Sequence, residues 1–571
     1  MSRRAFARHA GIVCMIGLGA CQVATAAGAD EWRQDVELIV RDVESVHPNP
    51  FTKIPHDKFL DAANRLESDL SQLNEEQRMV RAMQLVALIG DGHTWLEPNR
   101  ADFASWYPIR LYEFTDGYFI TAAYKTDTDL VGAQVLEIAG QSAANVIDNV
   151  RTLEGSDNLL DREEHLFAFH DVRLMQGLGY AGTDGGLKVT FKLRNGRTTT
   201  RTLMPHRTDD ARFPKNDSTL DWRFQSEVYG PPFGSLNDWI TAFMQLPTSA
   251  YRTIDTSRPA HFTFRRPYVS RAMPERGAYY IGVNSIGNWP DNKTFDAFFR
   301  DALTEIDQQR PKNLIIDIRY NSGGDGSKVP AMIHEFIKRE DHPPWSHLYV
   351  LSGRKTFSAA VMFLAAFVNN VACTVVGEPA GAPLDSYGDP TTIDLPRAGV
   401  RLHVSTLWHQ LEDQGARYPI MPVDVPAPFS FADYAAGRDP AVDAILSGEE
   451  MRSVPIIAVE DGAAAARRVF DERQRKYAKY ADWTRTREID LLFAYFKLDD
   501  AKRDRDALEV AKMMTELYPG SAGAWGRRGD SEIAIGEKDH GLKSYARSLE
   551  LDPNNLANID ERRAIAEAAK Q

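Results

Sequence analysis

Cysteine is scarce in this sequence. Only Cys14, Cys21 and Cys373 occur in 571 residues, and only Cys373 lies beyond the N-terminal stretch. One body cysteine cannot build an intramolecular disulfide framework. Set in the apolar run "VACTVVG", Cys373 reads as a packed core residue and not as a nucleophile. Metal-binding patterns are missing as well: there is no HExxH, no cysteine pair and no His-x-His, so no metal is expected. Neither a Walker loop nor a strand-linked GxGxxG is present, so no cofactor is expected. A basic run is lacking and the formal net charge is -13, which argues against a nucleic-acid partner. After the N-terminus no apolar stretch is long enough to span a bilayer.

What is present begins with a leader. "MSRRAFARHAG" carries Arg3, Arg4 and Arg8 and precedes the short apolar "IVCMIGLGA", the order of a secretory signal over residues 1–26. Two processing sites compete. "LGAC" has the form of a bacterial lipoprotein box that would make Cys21 a lipid anchor, and "ATA" at 24–26 suits ordinary cleavage. Either predicts an exported protein, in the periplasm or on the outer membrane as a lipoprotein.

The length suggests roughly three or four domains. Residues 30–100 show helical spacing of apolar residues, with Asn74 as a cap before "EEQ" and a stop at Gly90. Residues 105–205 read as short strands, among them "GYFITAAY", "AQVLEIAG" and "GLKVTFKLRNGRTTTRTLM". "RNGR" is the expected hairpin turn, since Asn-Gly tolerates positive φ at both central positions. "LVGAQVLEIAGQSAANVIDNV" has a PDZ-like order of strand, small turn and short helix. From 209 to 275 the signal is weak. Over 206–455 apolar strands then alternate with helices, which implies a sheet buried on both faces. Residues 456–571 carry a repeat: Pro519 and Pro553 are 34 residues apart, and at that offset Leu491 meets Trp525, Leu508 meets Leu542, and Leu517 meets Leu551. This resembles the tetratricopeptide pattern, closed by a capping helix at "NIDERRAIAEAAK".

Three stretches can carry chemistry. In "LIIDIRYNSGGDGS" a strand runs into Gly323 and Gly324, a pair that lets backbone N–H groups approach a ligand. In "TFSAAVMFLAAF" Ser358 stands at a helix start, as an ordinary cap or as a hydroxyl in the field of the helix N-terminus. The N–H groups of Gly324 and Ala359 can then serve as oxyanion donors. In "GDGHTWL" His93 occupies a polar break after a helix.

Together these stretches resemble the C-terminal (tail-specific) processing proteases, the tricorn core proteases and the interphotoreceptor retinoid-binding protein repeats. "DGHT", "LIIDIRYNSGGDG", "GRKTFSAAVMF" and "TVVGEPAG" match the family's signatures in order, across roughly Glu31 to Pro440. The resemblance implies a multidomain α/β chain: an N-terminal helical segment, a PDZ-like β region, and a crotonase-like serine-peptidase core on a mixed sheet. An all-α repeat region follows. It implies a serine peptidase with Ser358 as nucleophile, acting on peptides or proteins. Members with a Ser–Lys dyad place a lysine after the serine, whereas here none occurs between Lys355 and Lys476. That raises His93 as the base, as in the tricorn-like branch. The same branch implies a glutamate as third member. "QLEDQGARYPIMPVDV" offers Glu412, which we favour, with Asp413, Asp91 and Glu378 as alternatives. His334, in "VPAMIHEFIK", reads as a packed histidine. "TFSAAV" departs from the family turn at Phe357, Ala360 and Val361, so a binding protein without hydrolysis, or an esterase, shares the same scaffold.

Overall fold

The computed structural model describes residues 28–98, 105–107, 109–124, 127–160, 166–207, 239–241, 267–288, 293–412, 419–436, 438–484 and 486–554. The leader with Cys21, most of the weak stretch 209–275, Asp413 and the expected capping helix lie outside the described residues. The chain is a multidomain α/β protein with a mixed sheet and a run of C-terminal helices.

The central sheet has six strands. Their order is Tyr268–Met273, Ala278–Val283, Asn313–Asp317, His347–Ser352, Thr374–Gly377 and Val425–Pro426. The first pair is antiparallel and the rest are parallel. Alternate residues face opposite sides, as the pleat requires. Tyr279, Ile281, Leu314, Ile316 and Val350 pack under the helices Phe295–Gln309, Val329–Ile337 and Ala359–Asn370. Tyr280, Ile315, Tyr349, Leu351 and Val376 meet Val442 and Ile445 of the helix Pro440–Ser447. Burial on both faces explains why these strands read as continuous apolar runs.

The helices Ala29–Val46, His56–Asp69 and Glu75–Ala87 share one continuous core with the β region. The boundary expected between residues 100 and 105 is therefore no break in packing. Asn74 caps its helix as expected. Its Oδ1 accepts the Gln77 N–H at 2.9 Å while Gln77 Oε1 accepts the Asn74 N–H at 3.1 Å, a reciprocal capping box. The 194–197 turn differs from expectation. Leu193 N–H donates to the Arg197 carbonyl and Gly196 N–H to that of Leu193, and only Gly196 has positive φ, at 83°. Three residues fill the loop, which places the left-handed conformation at the glycine alone and leaves Asn195 on the right-handed side.

Four C-terminal helices, Glu488–Asp500, Asp504–Leu517, Ala522–Ala534 and Lys538–Leu551, begin with the 34-residue offset already visible in the sequence. The array is keyed to the central domain. Val423 N–H donates to the Trp483 carbonyl at 2.9 Å. Arg487, buried, donates to the Val368 carbonyl at 2.8 Å and to Asn369 Oδ1 at 3.2 Å, both at the end of the helix Ala359–Asn370. A cation on those last carbonyls also complements the helix dipole. Arg487→Ala should therefore lower stability by about 1–3 kcal/mol, read by chemical denaturation, because it removes a buried cation that ties the Val368 carbonyl, Asn369 and Asp490 together. No helix among the described residues is long and apolar enough to cross a membrane.

Candidate active site

Ser358 lies where the turn after strand His347–Ser352 meets the helix Ala359–Asn370. An ordinary capping serine has extended backbone and lends its oxygen to the first turn. Ser358 does neither: its φ and ψ are 53° and -129°, and its side chain makes no cap hydrogen bond. The backbone is left-handed at a residue with a Cβ, a conformation that persists only where surroundings enforce it. Thr356 supplies part of that enforcement. Its Oγ1 donates to the Ile318 carbonyl at 3.0 Å and accepts the Gly353 N–H at 3.1 Å, and its own carbonyl accepts from Gly381. Ser358 itself is half-buried.

The glycine pair packs against this turn. A Cβ on Gly323 would fall 2.7 Å from Ser358 Cβ and 3.1 Å from its Oγ. One on Gly324 would fall 2.0 Å from the Ile286 carbonyl oxygen, and both glycines have positive φ, 117° and 131°. Only glycine lets the two strand ends approach so closely. The fully buried Asn321 holds the loop: its Oδ1 accepts the Gly323 N–H at 2.8 Å, and its carbonyl accepts the Phe357 N–H at 3.1 Å. The Gly323 N–H is thereby spent. Beside it the Ala359 N lies 3.1 Å from where a Gly323 Cβ would fall, and as the first helical N–H it has no acceptor within its own helix.

Upstream, Arg319 anchors the strand end. It reaches Asp317 Oδ2 at 2.6 Å and Asp439 Oδ2 at 2.7 Å, all three buried. Buried charges of opposite sign neutralise one another and fix the direction of the chain entering the glycine pair.

His93 arrives from the other domain. The strand Trp95–Glu97, two residues on, pairs with Val400–Val404, and the buried His93 ring stacks on Phe357 with centroids 4.5 Å apart and planes at 21°. The residue before the serine thus carries the imidazole. Asp91 shapes the loop. Its Oδ1 accepts the His93 N–H at 2.9 Å; its Oδ2 accepts from Thr94 Oγ1 at 2.6 Å, Ser405 Oγ at 2.5 Å and His47 Nε2 at 3.2 Å. Burial alone would raise the Asp91 carboxyl; these four donors outweigh it and hold the group at about 2.

Of the other residues singled out in the sequence, Glu378 accepts from Arg354 Nε at 2.9 Å, a structural pairing. Glu412 is half-buried, and its N–H donates to Asp385 Oδ1 at 3.0 Å. His334 is exposed on its helix, not packed, because the apolar face is formed by Met332, Ile333 and Phe336. Cys373 is half-buried against the core, and burial pushes its thiol well up, away from nucleophilic character. One residue escaped the sequence reading. Asp157, in a polar loop with no motif around it, lies with Asp91 and His93 so that one donor atom of each falls within 4.8 Å of the others.

Residues 279–344, the strand–helix–strand unit that ends in the glycine pair together with the helix after it, match peptidase family S41. Over that segment the chain is similar to the S41 peptidases, a likeness that supports a serine-type peptidase. Among solved structures, mature CPAF is similar at 12% identity, with 74% of this chain and 98% of that chain covered and a TM-score of 0.50. At that identity the likeness is one of fold. The photosystem II D1 C-terminal processing protease (12% identity, 74% and 98% covered, TM-score 0.34) and the tricorn protease (12%, 74% and 36%, 0.32) are also similar. No curated protein matches.

Proposed function

We propose that the chain is an exported serine peptidase in which Ser358 is the nucleophile and His93 its base. The Ser358 oxygen bonds to the scissile carbonyl carbon as His93 takes the hydroxyl proton. The N–H groups of Gly324 and Ala359 hold the oxyanion. Collapse expels the amine, which leaves with the proton from His93, and water then releases the acyl group by the same steps in reverse. The observation that carries this reading is the left-handed backbone of Ser358 at a helix start, hemmed in by the glycine pair. Strain of this kind concentrates where a side chain must be presented for work.

The finer organisation belongs to the same reading. The β region serves as a PDZ-like platform for the substrate chain, and the paired C-terminal helices as tetratricopeptide-type repeats that offer a concave surface to a protein partner. The leader directs the chain to the bacterial periplasm, with Cys21 lipidated if the lipoprotein box is used.

The test is labelling by a fluorophosphonate probe together with hydrolysis of fluorescent casein. The expected result is modification of Ser358, lost in Ser358→Ala and in His93→Ala. Labelling that survives His93→Ala refutes the base, and a folded chain that never labels favours the binding protein. That second reading draws on Phe357, whose ring lies flat on His93. Turnover of a simple ester without casein cleavage favours the esterase.

A further inference from the structure

We infer that Asp157 is the positioning residue of the site: the carboxylate that orients the His93 imidazole and stabilises its protonated form. This deepens the Ser358–His93 reading and rests on it.

An imidazole that accepts a proton from serine needs a fixed ring and a counter-charge for the imidazolium that follows. Among the described residues, two carboxylates, those of Asp91 and Asp157, lie within reach of His93. Asp91 is committed elsewhere, since both its oxygens accept from four protein donors, and the one it takes from His93 is the backbone N–H, not the ring. Asp157 has a donor atom within the same 4.8 Å, and its Oδ2 is sealed from solvent. A half-buried carboxylate that close stabilises a neighbouring positive charge.

The loop bearing Asp157 is also clamped where it must be. Gly155 lies so near Asp91 that a Cβ there would come 2.5 Å from the Asp91 carbonyl oxygen. Lys53 Nζ binds the Gly90 carbonyl on one side and the carbonyls of Ser156 (3.0 Å) and Asp157 (2.8 Å) on the other, stapling the two loops. Asn158 Nδ2 then ties the loop to the Ala380 carbonyl at 3.1 Å, just beyond the strand that follows the serine helix. Among the described residues, the charged and titratable groups around His93 include Asp91, with His47 and Tyr387 behind it, Asp157, and Lys53 bound to carbonyls. Phe357 covers the ring face. Such fixation from three sides is what a positioning residue requires.

The experiment measures the rate of fluorophosphonate labelling of the full chain from pH 5 to 9, in the parent and in Asp157→Asn, Asp157→Glu, Glu412→Gln and His93→Ala. Asp157→Asn is expected to slow labelling about a hundredfold at neutral pH. It should also move the acid limb of the remaining profile down by about one pH unit, because a lost counter-charge makes His93 harder to protonate. Asp157→Glu should restore the limb and part of the rate. A rate within about threefold of the parent, or a slowed rate with the acid limb unmoved, overturns the inference. So does Glu412→Gln producing the displacement that Asp157→Asn does not. If Asp157→Asn fails to fold, the parent's far-downfield imidazole N–H proton resonance, identified by its loss in His93→Ala, decides: its presence at mildly acidic pH supports the pairing and its absence overturns it. Parent-like labelling in His93→Ala refutes the underlying Ser358–His93 mechanism instead, so the two failures are distinct.

Discussion

Ser358→Gly should unfold at a higher temperature than the parent chain and at the same time lose its reaction. The argument starts from the backbone. A residue with a Cβ at φ 53° and ψ -129° is held in a region that glycine occupies freely. Holding it there costs on the order of 1–3 kcal/mol. Glycine removes that strain and adds about 0.5–1 kcal/mol of unfolded-chain entropy. No capping bond is lost, because the Ser358 side chain makes none. The balance favours the variant by about 1 kcal/mol, a rise of roughly 1–3 °C in the transition of the central domain. Ser358→Ala separates the two effects. It keeps the Cβ, hence the strain, and its transition should stay near the parent's. Both variants should fall by at least about a thousandfold in labelling and hydrolysis, since the proposed mechanism routes the covalent step through the Ser358 hydroxyl. Calorimetry of the three chains side by side checks this. A glycine variant no more stable than the alanine variant would mean that the left-handed turn stores no strain.

This trade between stability and chemistry also marks what the sequence reveals. Strands and helices of the central sheet are legible because each is long, apolar and bounded: "KNLIIDIRY" contains the strand Asn313–Asp317, and "SAAVMFLAAFV" lies over the helix Ala359–Asn370. The serine turn and glycine pair are legible because tight backbone approach restricts residue type locally. The conformation of Ser358 is not, since "TFSAAV" also spells an ordinary cap and only Gly323, Asn321 and Thr356 together exclude it. Asp157 is illegible for a different reason. Nothing near "GSDN" restricts its side chain; its meaning comes from Lys53, Gly155 and Asn158, which bind it to parts of the chain distant in sequence. The offset of the C-terminal helices falls at the opposite extreme, because positions such as Tyr495 and Gly529, or Ala511 and Tyr545, are buried at the same 34-residue spacing. The turn at Asn195 shows how near-equivalent local solutions differ by a single residue of loop length, a choice made by strand register and not by the dipeptide.

Asp91→Ala should be the most destabilising single change in the half of the molecule that carries His93. Asp91 is 3% exposed, and its removal strands the His93 N–H, the hydroxyls of Thr94 and Ser405, and the ring N–H of His47. The His47 tautomer is set by the structure: the Asn49 N–H donates to Nδ1 at 3.1 Å, so Nε2 bears the proton that Asp91 accepts. Opening such a network costs about 3–5 kcal/mol. Asp91→Asn is subtler. Its amide nitrogen would confront three donors where an oxygen now accepts them, so shape is kept and polarity reversed. The pH dependence isolates the charge. Because the folded carboxyl is held at about 2, below its ordinary value of 3.8, it stabilises the fold fully above that ordinary value. That stabilisation fades as the pH falls from 3.8 to 2, and amounts to about 2–3 kcal/mol at neutral pH. Denaturant titrations at pH 6, 4 and 2.5 should therefore show the gap between parent and Asp91→Asn closing across that window. A gap that stays constant would mean that Asp91 works by shape and not by charge. The loop's other duty then becomes measurable in the same protein. If Asp91 fixes only the backbone of His93, folded Asp91→Asn should label more slowly but keep the parent's acid limb, whereas loss of a counter-charge to the ring would move it.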